Sequence, residues 1–171
     1  MLSHENIVQN IKVTADRLDL VGPGKKTISY LPVSHVFERV SGYYCQMMGI
    51  SIFFAESIEL LGDNIREVKP NMIAVVPRLL EKIFDKIVDK GSKLSGVKKK
   101  LFFWALKLGE QYEPYNKNGF WYHFQLKIAR KLIFGKWQEA LGNNLEFMVS
   151  GSAPLQPRLI RVFTAAGIPV Y

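Results

Sequence analysis

Three apolar runs of strand length constrain this chain more than any other feature: residues 50–55 (ISIFFA), 72–76 (MIAVV) and 145–149 (LEFMV). Each is nearly continuous rather than alternating, so each needs cover on both faces. A shorter β-branched run, 27–31 (TISYL), is stopped by Pro32, and 168–171 starts a fifth strand. Stretches of helical period separate them. Ser3 caps a first helix carrying Ile7, Ile11, Thr14 and Leu18, and Gly22-Pro23-Gly24 breaks it. Residues 36–48 and 57–68 are helical, and Pro77 opens another helix where proline is tolerated. Val97, Leu101, Ala105 and Leu108 form one later stripe; Trp121, Phe124, Ile128 and Leu132 form a second, with 113–119 (EPYNKNG) as the loop between them. Strands alternating with helices predict a doubly wound α/β fold, a mainly parallel sheet with helices on both faces and a helical insertion over about 90–140.

In open parallel sheets, ligands bind outside the carboxyl ends of the strands. The residues expected there are 32–35, Glu56-Ser57, Pro77-Arg78 and the corner Ser150-Gly151-Ser152-Ala153-Pro154. That corner is almost bare of side chains and precedes an amphipathic stretch, 155–166. A tight turn needs one glycine. Small residues in a row also let a planar ring or a phosphate reach backbone N–H groups; a plain strand-to-helix turn is the competing explanation.

Composition narrows the chemistry. Cys45, the single cysteine, excludes an internal disulfide and lies among Tyr43, Tyr44, Met47 and Met48 as a small buried hydrophobe would. With it, His4, His35 and His123 have no metal-ligand spacing, so no metal site is expected. The net charge of +8 is local: residues 81–136 hold 13 Lys/Arg against 5 Asp/Glu, and the remainder is neutral. The same segment carries 11 of the 21 aromatics. A basic, aromatic-rich patch suits an anionic membrane, nucleic acid or a phosphate-bearing ligand, or is merely a solvated lysine-rich face. Neither GxGxxG nor GxxxxGK[ST] occurs, and no Ser–His–Asp spacing stands out.

MLSHENIVQNI, LPVSHVFER, NMIAVVPRLLEKIFDKI, KKKLFFWALKLG and MVSGSAPLQPRLIRVF, in that order, resemble long-chain fatty acyl-CoA synthetases of the AMP-forming adenylating superfamily. The resemblance spans essentially all 171 residues. It implies the central part of an adenylation N-terminal domain (1–171). The phosphate loop, the magnesium-binding motif and the C-terminal domain are expected outside it, so the chain alone is expected to be inactive. It implies ATP, Mg2+ and CoA as cofactors of the whole enzyme, none tightly held by this part. A fatty acid would be activated to an acyl-adenylate and transferred to CoA, giving acyl-CoA, AMP and pyrophosphate.

By the same resemblance, Ser150, Gly151, Ser152, Ala153 and Pro154 wall the nucleotide and acyl-carboxylate pocket. His35 is the catalytic histidine after the LP turn, Phe37 and Ser41 line the acyl pocket, and Val76 and Pro77 lie near the acyl tunnel. Some long-chain relatives have a tryptophan gate four residues after the histidine; here Arg39 stands there. The alternatives are an adenylating enzyme for another carboxylic acid and a non-enzymatic basic module binding anionic membrane or nucleic acid, of which nucleic acid is the less expected. Cytoplasmic location with peripheral membrane contact through 97–136 is expected. Chain-length preference and oligomeric state are left open.

Overall fold

The computed structural model describes residues 3–18, 22–115 and 117–171. The first helix, α1 (His4–Ala15), starts at a reciprocal cap: the Ser3 side chain accepts from the Asn6 N–H, and the Asn6 side chain accepts from the Ser3 N–H. Strand β1 (Lys26–Ser29), helix α2 (Val36–Met47), strand β2 (Ser51–Phe54), helix α3 (Leu61–Val68) and strand β3 (Met72–Val75) follow. Helices α4 (Pro77–Ser92), α5 (Gly96–Glu110) and α6 (Phe120–Ala129) come next. A π-helical turn (Arg130–Phe134) joins α6 to α7 (Gly135–Ala140). Strand β4 (Phe147–Ser150) and helix α8 (Pro157–Ala165) complete the order.

The four strands are parallel, in the lateral order β2-β1-β3-β4. Register runs from Lys26↔Ser51 to Ser29↔Phe54 on one side and from Met72↔Phe147 to Val75↔Ser150 on the other. Val170 bridges Met148 on the free side of β4, so the fifth run contributes one parallel bridge there.

Successive side chains of β3 and β4 serve different cores, as a pleated strand requires. Met72 and Phe147 join Ile11, Tyr44, Cys45 and Ile50 under α1 and α2. Ile73, Val75 and Met148 face the larger core formed with α3 to α8. There Phe134 is fully buried, and its ring meets Trp137 edge-on at 5.1 Å, which in turn meets Phe163 at 5.8 Å. The doubly wound α/β architecture holds.

Several boundaries and one helix face differ from the sequence reading. β1 ends at Ser29, two residues before the limit expected for TISYL. Ser57 does not open α3; its hydroxyl accepts from the Leu60 N–H in a turn, and the helix starts at Leu61. The run 50–55 is not covered on both faces: β2 is an edge strand, with Phe53 39% and Phe54 71% exposed. On α6 the stripe Trp121, Phe124, Ile128 and Leu132 points outward, with Trp121 71% exposed, whereas Leu126, Ala129 and Phe134 are buried. Both stripes of α6 are apolar, so periodicity identified the helix without saying which side would meet α5 and the core.

Candidate active site at the carboxyl rim of the sheet

Two chain corners build the rim. After β1, the His35 N–H donates to the Pro32 carbonyl (2.8 Å), which turns the chain into α2. His35 then caps that helix, its Nδ1 accepting from the Phe37 N–H at 3.3 Å. In the neutral ring this places the proton on Nε2, leaving that atom as a donor on an exposed side chain. Arg39 folds back, its Nε–H donating to the Val33 carbonyl at 3.4 Å.

After β4, the second corner is anchored from inside the sheet. The Ser150 N–H donates to the Tyr171 carbonyl (2.7 Å) and the Gly151 N–H to the Val75 carbonyl (3.2 Å). Ser152 adopts the left-handed conformation at φ +72°, an uncommon one for serine. Among the described residues no hydrogen bond takes the N–H of Ser152 or Ala153. The corner stays non-helical through Gln156, so α8 begins two residues later than the stretch 155–166 suggested.

The corners touch. A Cβ placed on Gly151 would lie 2.3 Å from Cε2 of Phe37, so the ring packs directly on the glycine backbone. Any side chain at 151 would displace that ring. Beside that contact opens a cleft of about 840 Å³ lined by His35, Phe37, Arg39, Tyr43 and Ser152, with Asn6 and Asn10 of α1 opposite. A second cavity, about 330 Å³, lies between α2 and the sheet, against Ser29, Glu38, Ser41, Cys45, Ile52 and Ala74. Arg39 and Tyr43 line both cavities and stand where they adjoin.

Electrostatics centre on Glu38, 6% exposed in the first turn of α2. Burial pushes its carboxyl up from the usual range, and the Ser29 hydroxyl bonded to it pulls the other way. Its Oε2 has no partner. Burial, then the Glu38 charge, pushes the Cys45 thiol up to about 12, which keeps it an inert thiol. The same two causes raise the Tyr30 phenol above its ordinary value. Ser150 Oγ is likewise buried without a partner, while Tyr30 Oη, at the same end of the sheet, lies against the Val76 backbone.

Of the residues expected from the sequence, His35, Phe37 and Ser152 share the cleft, and Gly151 lies beneath Phe37. Ser41 lines the adjoining cavity instead. Ser150 turns its hydroxyl into the interior, and Ala153 and Pro154 are exposed beyond the cleft. Val76 caps α4 and Pro77 is its buried first residue; neither lines either cavity. The Gly151 N–H is taken by the ladder to β3, so of the corner's backbone donors those of Ser152 and Ala153 are the free ones among the described residues. Sequence reasoning missed Glu38, although its position seven residues before buried Cys45 puts it on the same side of α2.

Comparison with known proteins agrees with this architecture. A family profile described as AMP-binding enzyme matches residues 1–171. The chain is 34% identical over 174 residues to long-chain-fatty-acid–CoA ligase 5 of Rattus norvegicus, covering 97% of this chain and 24% of that protein. It is 33% identical over 177 residues to long chain acyl-CoA synthetase 3 of Arabidopsis thaliana, covering 98% and 26%. It thus spans about a quarter of the length of these curated relatives. The fold resembles the adenylation domain of a carboxylate reductase from Mycobacterium chelonae, with a TM-score of 0.61 and 19% identity over 96% of this chain and 22% of that one. It also resembles the N-terminal domain of FACL13 from Mycobacterium tuberculosis, with a TM-score of 0.58 and 15% identity over 99% and 31%. With a parallel sheet, a cleft at its carboxyl rim and a profile match along its whole length, the chain belongs to the AMP-binding enzyme family.

Proposed function

We propose that this chain is part of a long-chain-fatty-acid–CoA ligase. The complete enzyme joins a fatty acid carboxylate to the AMP moiety of ATP with release of pyrophosphate. The CoA thiol then displaces AMP to give the thioester. The observation that carries this reading is the single cleft shared by His35, Phe37 and Ser152 at the carboxyl rim. His35 Nε2 is the donor beside the reacting carboxylate. The free N–H of Ser152, a residue that lines this cleft, suits a hydrogen-bond acceptor on the nucleotide. Phe37 and Ser41 serve the acyl chain in adjoining spaces, with Val76 and Pro77 supporting the rim from behind. A planar group seated over Gly151 takes the place of the Phe37 ring, which must swing aside. ATP supplies the activating phosphoanhydride when bound. The corner itself carries no carboxylate to hold Mg2+, so these residues support no step through the metal.

The test is acid-dependent pyrophosphate and acyl-CoA formation by the full-length protein. Palmitate and oleate should outperform acetate, benzoate and amino acids by at least ~100-fold in kcat/KM, a discrimination of the order that a single methylene can supply (roughly 10–200-fold) and so within reach of a long chain. Preference for an aryl or amino acid would leave an adenylating enzyme and remove the fatty acid.

A basic face suits contact with an anionic membrane surface. Two of the five acids in 81–136, Glu110 and Glu113, pair with Arg158 and Arg161 of α8, outside the segment. Lys98, Lys99, Lys100, Lys127 and Lys131 are exposed and in no ion pair among the described residues. Beside the last two, Phe120, Trp121 and Phe124 form an outward cluster of edge-on rings. No described helix is long and apolar enough to cross a membrane. Pelleting with phosphatidylserine vesicles should fall on reversing Lys98, Lys99 and Lys100 to Glu and on Trp121→Ala. Unchanged pelleting removes the membrane, and a salt-sensitive gel shift with single-stranded oligonucleotides would replace it with nucleic acid.

A further inference from the structure

The cleft at the carboxyl rim carries a single full charge, and the reading above gives it no task. Arg39 is the one Lys or Arg among the described residues that line this cleft, and no Asp or Glu lines it. The residue is exposed and in no ion pair among the described residues. Glu38, its neighbour in sequence, is not a counter-ion, because that side chain is turned inward with Oε2 sealed from solvent. The Arg39 Nε–H is spent on the Val33 carbonyl at 3.4 Å. That bond folds the side chain back and leaves the two Nη groups as the free end of the fork.

Position adds a second observation. His35, Arg39 and Tyr43 follow at four-residue spacing along α2, and all three line the cleft. Side chains four apart stack on one helix face, with Cβ atoms about 5–6 Å from each other. The Arg39 N–H donates to the His35 carbonyl at 3.0 Å, so both side chains leave the same turn. The cleft is thus bordered by a neutral N–H donor and, one turn on, a cation. A carboxylate, with one oxygen for each, is the group that such a pair matches.

We propose that Arg39 is a carboxylate clamp, holding the acid group of the substrate beside His35 until the acid is activated. The inference rests on the ligase reading and adds a substrate-binding residue to it. An ionised acid must approach a triphosphate of the same sign, and a guanidinium beside it offsets that repulsion. Adenylation then forms a bond between a carboxylate oxygen and the α-phosphorus, and pyrophosphate leaves with the electron pair of the broken P–O bond. The acyl carbonyl is now uncharged, so the clamp releases it and Arg39 takes no part in the CoA step. Arg39 reads the charge of the substrate rather than the shape of its chain.

The test uses the full-length protein. Without ATP, wild type should bind palmitate at least about tenfold more tightly than chain-matched hexadecanol, the scale of one charge-assisted hydrogen bond. Equal binding overturns the proposal without any variant. Arg39→Gln should bind the acid and the alcohol nearly alike. In pyrophosphate exchange it should raise KM for palmitate at least about tenfold and leave KM for ATP nearly unchanged. Arg39→Lys, which keeps the charge without the fork, should fall between Arg39→Gln and wild type. Synthetic palmitoyl-adenylate should still be converted to palmitoyl-CoA by Arg39→Gln at close to the wild-type rate. An unchanged KM for palmitate overturns the proposal. So does a raised KM for ATP with loss of adenylate use, which would move Arg39 to the phosphate. Failure of wild type to activate any fatty acid sinks the ligase reading instead, so the two failures are distinguishable.

Discussion

The two faces of the sheet are built to different standards. Under α3 to α8 lies a continuous core in which Leu80, Ala105, Ala129, Phe134, Val162 and Phe163 show no measurable exposure. Under α1 and α2 the core is small, and both cavities open there. On the thick face the Arg130 Nε–H donates to the Ala165 carbonyl at 2.8 Å and the Gln138 amide to the Ala166 carbonyl at 2.8 Å, while His123 Nε2 is buried there without a partner. The thin face ends in the unpartnered oxygen of Glu38 and a bare corner. Stability and ligand access make opposite demands on packing, and this chain assigns one to each side of a shared sheet. Groups left unmatched on the thin side are affordable because the thick side holds the strands in register.

The largest effect expected from that contrast is Phe134→Ala. It removes a fully buried ring from the thick face and should cost about 3–5 kcal/mol in urea unfolding. A loss below about 1 kcal/mol would mean the thick core is not the stabilising half. Next comes Gly151→Ala on the thin face, where the new Cβ meets the Phe37 ring. Overpacking of this kind should cost about 1–3 kcal/mol, and Phe37→Ala in the same chain should recover much of it. Equal losses with and without Phe37 would break the account of this contact. In the full-length enzyme the bulkier Gly151→Leu should abolish adenylate formation while circular dichroism stays native.

A smaller effect separates the faces by pH. Glu38 has its carboxyl raised in the folded state, so the folded chain binds the proton more tightly than the unfolded one. Stability from this group is present at low pH and is lost as pH rises from about the ordinary carboxylate value through the raised one. Glu38→Gln should therefore melt closer to, or above, wild type as pH climbs through that window, and a difference independent of pH would count against the burial of an ionisable carboxyl there. Smallest is Arg158→Ala. It removes the exposed pair with Glu110 and the contact over the Phe84 ring at 5.2 Å. A change under about 1 kcal/mol is expected, since solvent screens the pair.

Much of this was legible in the letters. The apolar run MIAVV is the fully buried strand its pattern predicted, and a Pro at the start of α4 and a Ser before α1 mark helix starts for local steric and hydrogen-bonding reasons. The rim followed from parallel topology, so His35 and Ser152 were named before their shared cleft was seen. Val76 and Pro77 were named as well, but as the cap and buried first residue of α4 they line neither cavity. Glu38 was not named, because an acid after His-Val-Phe reads as an ordinary surface residue until the helix is docked.

The chain by itself determined the order of its strands and helices and the parallel class, because those follow from side-chain period and backbone sterics within a few residues. Only the tertiary structure decided which apolar stripe of α6 is buried, that Phe37 rests on Gly151, and that Glu38 lies sealed against β1. Each of those depends on contacts between residues far apart in sequence, and local pattern carries no information about which of two equally apolar faces a neighbour will cover.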